Sequence, residues 1–570
     1  MGVDVAIFES AGKRTEHLVP GAYTRSDNVA SPSGVSAGNH VVMGKSDGGE
    51  PGKLLVFSSL SEARDVLKGG ELLKAVSHAF NPSPAYTPQK VYAMRVNTGT
   101  QSSIELSTGM TPVLRLKSKD FGSHANQLKV WIQSGTKSGK KITVAMKDEE
   151  FVCDNVGQNA ITVEYSGAHD SATVAVTETG ITLTGGDGEE LVVNFADYET
   201  VADVVRRIND SAVYVATVAD GSDLLASAAL DTLSSASIKD ASHTLTANLF
   251  AVSSVLEACP LIGHLEFIGG TTKTAPDNTS SFTYFTGGTA GEYTVTQWME
   301  ALSKLEANDI QIISTPSTDS AVQTLIANHC IAMNGTEARK ERTCILGAPL
   351  DEADDAAITK AKGFNSKFVS YVIDSATVAD PITGATEKIN GAMLAVKLAA
   401  IESAMAVNEP ITNKTLSVLG FSKHRSIANM GDLIKAGIIT CNPSPDNPAE
   451  YVCIRAVTTY QGTGDLISCE RSMVREDLYM NRDLRSKFRL GVGRPNNPSI
   501  SAIEQTLKDA ARAWATNGYI IPKGSDNVWN IRVRISGDKV ILSFSRYLTA
   551  PRNFVFITAT NHVYDSSVEL

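Results

Sequence analysis

Residues 529–535, Trp529-Asn530-Ile531-Arg532-Val533-Arg534-Ile535, alternate apolar and polar side chains close to the end of the chain, where little sequence remains to cover them. A period of two marks a strand with one face on a core and the other toward solvent or a partner. Ser536-Gly537-Asp538-Lys539 supplies a hairpin turn, and residues 540–547 return as a second strand. After Pro551 a third run, Phe554-Val555-Phe556-Ile557-Thr558, reads as another strand ahead of a polar tail. A strand needs backbone partners, because unpaired N–H and C=O groups are costly when buried and adhesive when exposed. Pairing across subunits meets that need, so this terminus predicts a protein that assembles rather than a free monomer.

At 570 residues the chain is too long for one ordinary core, and two to four domains are expected. No apolar run approaches the length of a membrane span, so membrane insertion is not expected. Met1-Gly2-Val3-Asp4-Val5 lacks a basic region ahead of a hydrophobic stretch, and Ala6 stands where myristoylation wants Ser or Thr. A net charge of −11 argues against bulk nucleic-acid binding. The seven cysteines (Cys153, Cys259, Cys330, Cys344, Cys441, Cys453 and Cys469) are scattered with no Cys-x-x-Cys pair, and read as reduced thiols made in a cytoplasm.

Along the chain, residues 1–40 read as an extended arm whose compact patch is Leu18-Val19-Pro20-Gly21-Ala22-Tyr23. Short strands at 41–43 and 54–57, a helix over 61–80 and a strand at 91–96 follow. From 111 to 286 Thr, Ser, Val and Gly dominate in short alternating runs, a β-rich texture with one helix at 198–208. After Gly287-Gly288-Thr289-Ala290-Gly291 the Thr294/Gln297 pair forms a capping box for a helix. Strands at 310–313, 343–346 and 368–373 then alternate with helices near 322–333, 351–362 and 389–405, which implies crossovers and a largely parallel sheet. A final helix opens at Pro498 with a Ser501/Glu504 box; it buries Ile503, Leu507, Ala510 and Trp514 and turns Gln505, Lys508, Asp509 and Arg512 outward. The fold class is therefore mixed α/β with a β-rich insertion.

Motifs for chemistry fail on their surroundings. Gly34-Val35-Ser36-Ala37-Gly38 has the letters of a nucleophile elbow without the strand before and helix after the serine. Gly44-Lys45-Ser46 lacks the glycine five places upstream, and Asp47-Gly48-Gly49-Glu50-Pro51 cannot start the helix a phosphate loop requires. Gly287-Gly288 precedes a helix, but the turns Ser314-Thr315-Pro316 and Gly347-Ala348-Pro349 carry no dinucleotide fingerprint. The histidines show no metal spacing, and His329 reads as a core residue. Adjacent acids such as Asp354/Asp355 and Glu149/Glu150 read as solvated faces. No catalytic, cofactor-binding or metal-ligating residue is expected. One charge pattern stands out: Arg471, Arg475, Arg482, Arg485, Lys487, Arg489, Arg494, Lys508 and Arg512 outnumber the acids of that stretch, and read either as a basic face for an acidic partner or as a scattered solvated surface.

In order along the chain, several segments resemble the contractile tail sheath proteins of myovirus-type bacteriophages. They are Val19-Pro20-Gly21-Ala22-Tyr23, Gly44 with Gly49-Glu50-Pro51-Gly52, the stretch from Ser58-Ser59 to Gly69-Gly70-Glu71-Leu72, and 91–96 with Arg95. Phe121-Gly122 with Asn126-Gln127-Leu128-Lys129-Val130, Gly287–Gly291 leading to Pro316, and Arg546-Tyr547-Leu548 with Pro551-Arg552-Asn553-Phe554-Val555 complete the set. Asn81-Pro82-Ser83-Pro84 and Ala290 depart from the family pattern. The resemblance implies an N-terminal arm over 1–40, a discontinuous core over 41–110 and 287–550, an outward-facing insertion over 111–286 in one or two subdomains, and a C-terminal arm over 551–570. It implies arms that add strands to neighbouring subunits, for which residues 16–25 and 554–564 are candidates, with Val19, Pro20, Tyr23, Phe554, Phe556 and Tyr564 as contacts. It implies a helical homopolymer around a tail tube, baseplate and tail-terminator partners, a place in the virion, and no cofactor. Lys508 and Arg512 are the candidate tube-facing cations. The rival expectations are a sheath of a related injection machine, such as a bacteriocin or a type VI secretion-like system, a nucleotide-dependent α/β enzyme, and a β-rich virion adhesin.

Overall fold

A computed structural model describes residues 6–10, 13–17 and 38–561, apart from 187, 251, 253–255, 257, 269–272, 446, 490, 491 and 493–498. Residues 1–35 and 36–570 form separate units. In the first, Ala6–Ser10 and Lys13–His17 pair as an antiparallel hairpin, where an extended arm was expected.

The second unit is organised by an eight-stranded sheet in the order Tyr451–Arg455, Ile438–Pro443, Val369–Val372, Thr343–Gly347, Ile312–Ser314, His40–Gly44, Val91–Arg95, Leu54–Phe57. The inner pairings are parallel and each edge strand is antiparallel to its neighbour. His40–Gly44 lies directly beside Ile312–Ser314, so strands from residues 40–95 and from residues 312–455 build one sheet, and the chain between 96 and 311 leaves and rejoins it. Alternate strand residues feed two cores. Val42, Ala93, Ile312, Ile345 and Val372 pack with the helices Leu60–Leu67, Gly70–Phe80 and Gly391–Ala404. Val41, Met43, Met94, Ile313, Cys344 and Leu346 pack with Val295–Leu305, Ser320–Met333, Asp354–Phe364 and Ile427–Lys435. Sheets covered on both faces read as continuous apolar runs, as Val41-Val42-Met43 does within its strand.

The expected single helix over 61–80 is two, because Lys68 adopts φ 60° and Gly70 φ 90° between them. Gly391–Ala404 is buried on every side; a Cβ on Gly347 would lie 2.2 Å from Gly391 carbonyl carbon, so strand end and helix start touch backbone to backbone. The Thr294/Gln297 capping box forms as read. The final helix, Ile500–Thr516, starts two residues before its expected box: Ser499 caps it by accepting from the Ala502 amide, which a serine directly after Pro498 does as well as Ser501.

The β-rich region holds two hydrophobic cores. One joins Leu114, Val130, Ile142 and Val144 with Leu256, Ile262 and Phe285. The other lies wholly within residues 160–247 and packs two small sheets against Val201–Asn209. All seven cysteines are free thiols; six are buried and Cys469 is half-buried. No helix among the described residues is long and apolar enough to cross a membrane.

Candidate assembly interface

The scattered polar motifs of the first half converge at the neck of the insertion. Arg95, 0% exposed, ends its strand and spreads its guanidinium over backbone carbonyls: Nε to Asn97 at 3.2 Å, Nη1 to Gly49 at 2.9 Å and Phe121 at 3.2 Å, Nη2 to Ala290 at 3.0 Å. Burial lowers its pKa to about 10, so it stays a cation at neutral pH. Asn97 Nδ2 donates to the carbonyls of Ser46 and Ala290, and Asn126 exchanges two bonds with the Gly288 backbone. The outgoing chain at 98–103 pairs with the returning chain at 286–292. Gly291, at φ 76°, is forced there: a Cβ would sit 0.9 Å from the Thr98 carbonyl oxygen. Gly288 is thus clamped by Asn126, the Gly287 carbonyl accepts from Thr100 Oγ1 at 2.7 Å, and the pair serves as a joint.

The crevice beyond the carboxyl ends of the parallel strands, where α/β proteins commonly bind ligands, is filled by an ion-pair cluster. Arg425 donates from Nε to Asp374 at 2.8 Å and from Nη1 to Asp354 at 2.6 Å. The space left among Asp351, Glu352, Ser375, Ser422 and Lys423 is about 10 Å³, room for one water.

The basic stretch is a correction to the solvent-facing expectation. Arg471, 1% exposed, donates from Nε and Nη2 to Glu402 at 2.9 and 2.7 Å, and to Cys344 carbonyl, Ser370 and Thr343 at 3.0–3.1 Å. Arg475 donates to the Glu402 carbonyl at 3.0 Å. His40, beside Arg471 and bonded to Ser314 at 2.7 Å, is held neutral by burial, its pKa lowered to about 3. Arg482 pairs with Asp309, Arg485 with Glu341 and Lys487 with Asp483. Arg471, Arg475, Arg482 and Arg485 thus fasten the helix Arg471–Arg489 to residues of the sheet, its loops and the helix Gly391–Ala404 instead of presenting a face, while the Lys487 pair lies within the helix itself. Arg494 lies outside the described residues. Lys508 and Arg512 are exposed on Ile500–Thr516, Arg512 bonded to Asp509 at 3.1 Å.

Beyond that anchor the structure opens. Trp514, 1% exposed, seats the last helix by donating from Nε1 to Asp483 at 2.7 Å, and Ile531, Leu542 and Phe544 lean on it half-buried. Trp529–Ser536 and Lys539–Ser545 form the expected hairpin as a sheet of two, so each strand keeps an edge without a partner among the described residues. Its tip exposes Ile535, Val540 and Ile541. After Tyr547–Leu548 pairs with Ile520–Ile521, residues 549–561 follow no regular pattern, so the expected third strand is absent. Asn553 bonds Glu470 at 3.1 Å, and from there Phe554, Val555, Phe556 and Ile557 are 67–92% exposed. Among the candidate arm contacts, Val19, Pro20, Tyr23 and Tyr564 lie outside the described residues.

The comparisons agree with this architecture. The model of the phage tail sheath protein central domain matches residues 291–459. The tail sheath protein of Bacillus phage SP01 is 25% identical over 577 residues, covering 96% of this chain and 95% of that protein. That of Staphylococcus phage Twort is 24% identical over 482 residues, 78% of this chain and 80% of that protein. The crystal structure of a sheath tail protein from Desulfitobacterium hafniense shares the fold, with TM-score 0.53 at 14% identity over 93% of this chain and all of that one. A mixed α/β core interrupted by a β-rich insertion is thus a sheath-type fold. Residues 291–459 thus match a tail sheath central domain, and nearly the whole chain is similar to phage tail sheath proteins.

Proposed function

We propose that the chain is the repeating subunit of a contractile phage tail sheath, polymerising helically around a tail tube and contracting to drive that tube through the host envelope. The observation that carries this reading is the terminal region: a two-stranded sheet with both edges open beside four consecutive exposed apolar residues, Phe554–Ile557. Such edges pair with strands from other chains, and a head-to-tail contact of this kind propagates a helix when its rotation does not close into a ring. The N-terminal hairpin and residues 551–570 act as arms, residues 41–110 and 287–550 as the rigid core, and 111–286 as the outward-facing insertion. Lys508 and Arg512 face the tube. Tube, baseplate and tail-terminator proteins are the partners; the subunit is made in the host cytoplasm and performs no catalysis.

Contraction in this scheme is rigid-body sliding of cores with the arms as hinges, its energy stored at assembly. The test is negative-stain electron microscopy of the full chain and of versions lacking residues 1–35, 551–570 or both. Tubes from the full chain and none from the doubly clipped chain are expected. Tubes from the doubly clipped chain overturn the proposal.

A further inference from the structure

The terminal segment is rooted on the first turns of Arg471–Arg489, and one group there has no role in the bonding described above. Glu476 is 0% exposed, and neither carboxyl oxygen has a hydrogen-bond partner. The groups facing it come from three elements. Asp477 lies on its own helix; Tyr519, which also faces Arg475 and Asp483, follows the last helix; Arg546 comes from the link between the hairpin and Tyr547–Leu548. The Thr549 amide also faces it, but donates to the Tyr519 carbonyl at 3.2 Å. Arg546 is the nearest source of neutralising charge and is committed elsewhere: Nη2 donates to Asp477 at 2.7 Å and to Asn481 at 3.0 Å, while buried Nη1 has no partner.

A buried carboxyl without donors is tolerated as the neutral acid; as an anion it must recruit a cation or reach water. The unused Nη1 of Arg546 is that cation, and moving it displaces the residue that leads directly into Tyr547–Leu548. We propose that Glu476 and Arg546 form a protonation-gated latch at the root of the terminal segment. With Glu476 neutral, Arg546 stays on Asp477 and Asn481 and residues 547–553 are seated; with Glu476 ionised, Arg546 turns toward it and they are released.

Burial raises the Glu476 pKa to about 8, which puts the gate near neutral pH. Free carboxyls ionise near pH 4.5, so the seated state holds a proton that the opened state does not between pH 4.5 and 8. Seating therefore weakens as pH rises through that window, by up to about tenfold per pH unit for one proton, and levels off above it. Glu470, at the same root, is also raised by burial, but Arg455 and Asn553 already face it, so it is not the gate.

The latch belongs to the single chain; its consequence for assembly rests on the arm reading above. The test is hydrogen–deuterium exchange of the full chain, held below its polymerising concentration, from pH 5.5 to 9. Protection factors of residues 547–553 are expected to fall at least tenfold across that range and to reach a plateau near its top. In Glu476→Gln, permanently neutral, they stay flat; Glu476→Met serves the same purpose if the amide variant does not fold. A flat profile in the unmodified chain, or the same slope in either variant, overturns the latch and leaves the assembly reading untouched.

Discussion

The neck of the insertion and the terminal region both leave the central sheet, and they treat polar backbone in opposite ways. At the neck, Arg95, Asn97 and Asn126 satisfy six carbonyls from four separate chain segments, with Arg95 completely buried. At the terminus a hairpin whose two edges have no strand partner among the described residues leans one face on the last helix, and the apolar run Phe554–Ile557 is exposed. A joint whose bonds all close within one chain holds its geometry. On the assembly proposed above, a joint whose bonds are left open is the one that transmits geometry between copies. The sheet serves both, and Arg471–Arg489 is the bolt between it and the open end.

The contrast breaks most severely at that bolt. Glu402→Ala leaves Arg471 and Arg475 buried without their carboxylate, and removing one partner of a buried pair costs about 3–5 kcal/mol. Chemical denaturation of the full chain should show that loss as an early transition including residues 471–561. Arg95→Met tests the neck alone. Several buried carbonyls lose their donor, each at about 1 kcal/mol or more, so a loss on the order of 3 kcal/mol is expected. Exchange should rise at 286–292 while 529–545 is unchanged; an equal rise in both regions would mean that the two joints are not independent.

Acid separates core from insertion. His40 and His329, both in the core, are kept neutral by burial, their pKa values lowered to about 3 and 4; Arg342 Nη1 adds to this by donating to His329 Nε2 at 3.1 Å. Unfolded histidine titrates near 6.5, so the unfolded chain binds protons first as pH falls below that value. Core stability is therefore full above pH 6.5 and declines toward the folded values, by on the order of 2 kcal/mol from each group at pH 5. Calorimetry across pH 7 to 5 should show the core transition moving down more than that of residues 160–247.

The core was legible because burial on both faces of a sheet imposes periods that survive without tertiary context: strands at 41–43, 343–346 and 368–373 and the helices between them stand where their apolar spacing put them. The neck was legible only as fragments, since Gly49, Arg95, Asn126 and Gly288 are far apart in sequence and meet only on folding. The basic stretch misled because charge alone does not report burial. Its signal lay elsewhere, in Lys397 and Glu402 set inside the otherwise apolar helix Gly391–Ala404, where an acid demands a cation. Residues 554–558 read as a strand and are not one here, because strand formation needs a partner backbone and this chain supplies none to them among the described residues.

The smallest effect on the single chain is expected at Phe556, and that makes it the sharpest probe of the open joint. Its side chain is 92% exposed and its described ring contact is with Phe554, 6.3 Å away. Phe556→Asp removes little burial, so the melting free energy should stay within about 0.5 kcal/mol, as for surface substitutions generally. If residues 554–557 add as a strand to a neighbour, alternate side chains enter that neighbour's apolar face, and an aspartate there must be buried without a partner. Polymerisation followed by light scattering should then fall at least tenfold in rate at unchanged monomer stability, while Thr558→Asp, two residues on, should have a weaker effect. Normal assembly of Phe556→Asp would show that the apolar run is not what neighbouring subunits grip, and would shift that role to the open edges of Trp529–Ser536 and Lys539–Ser545.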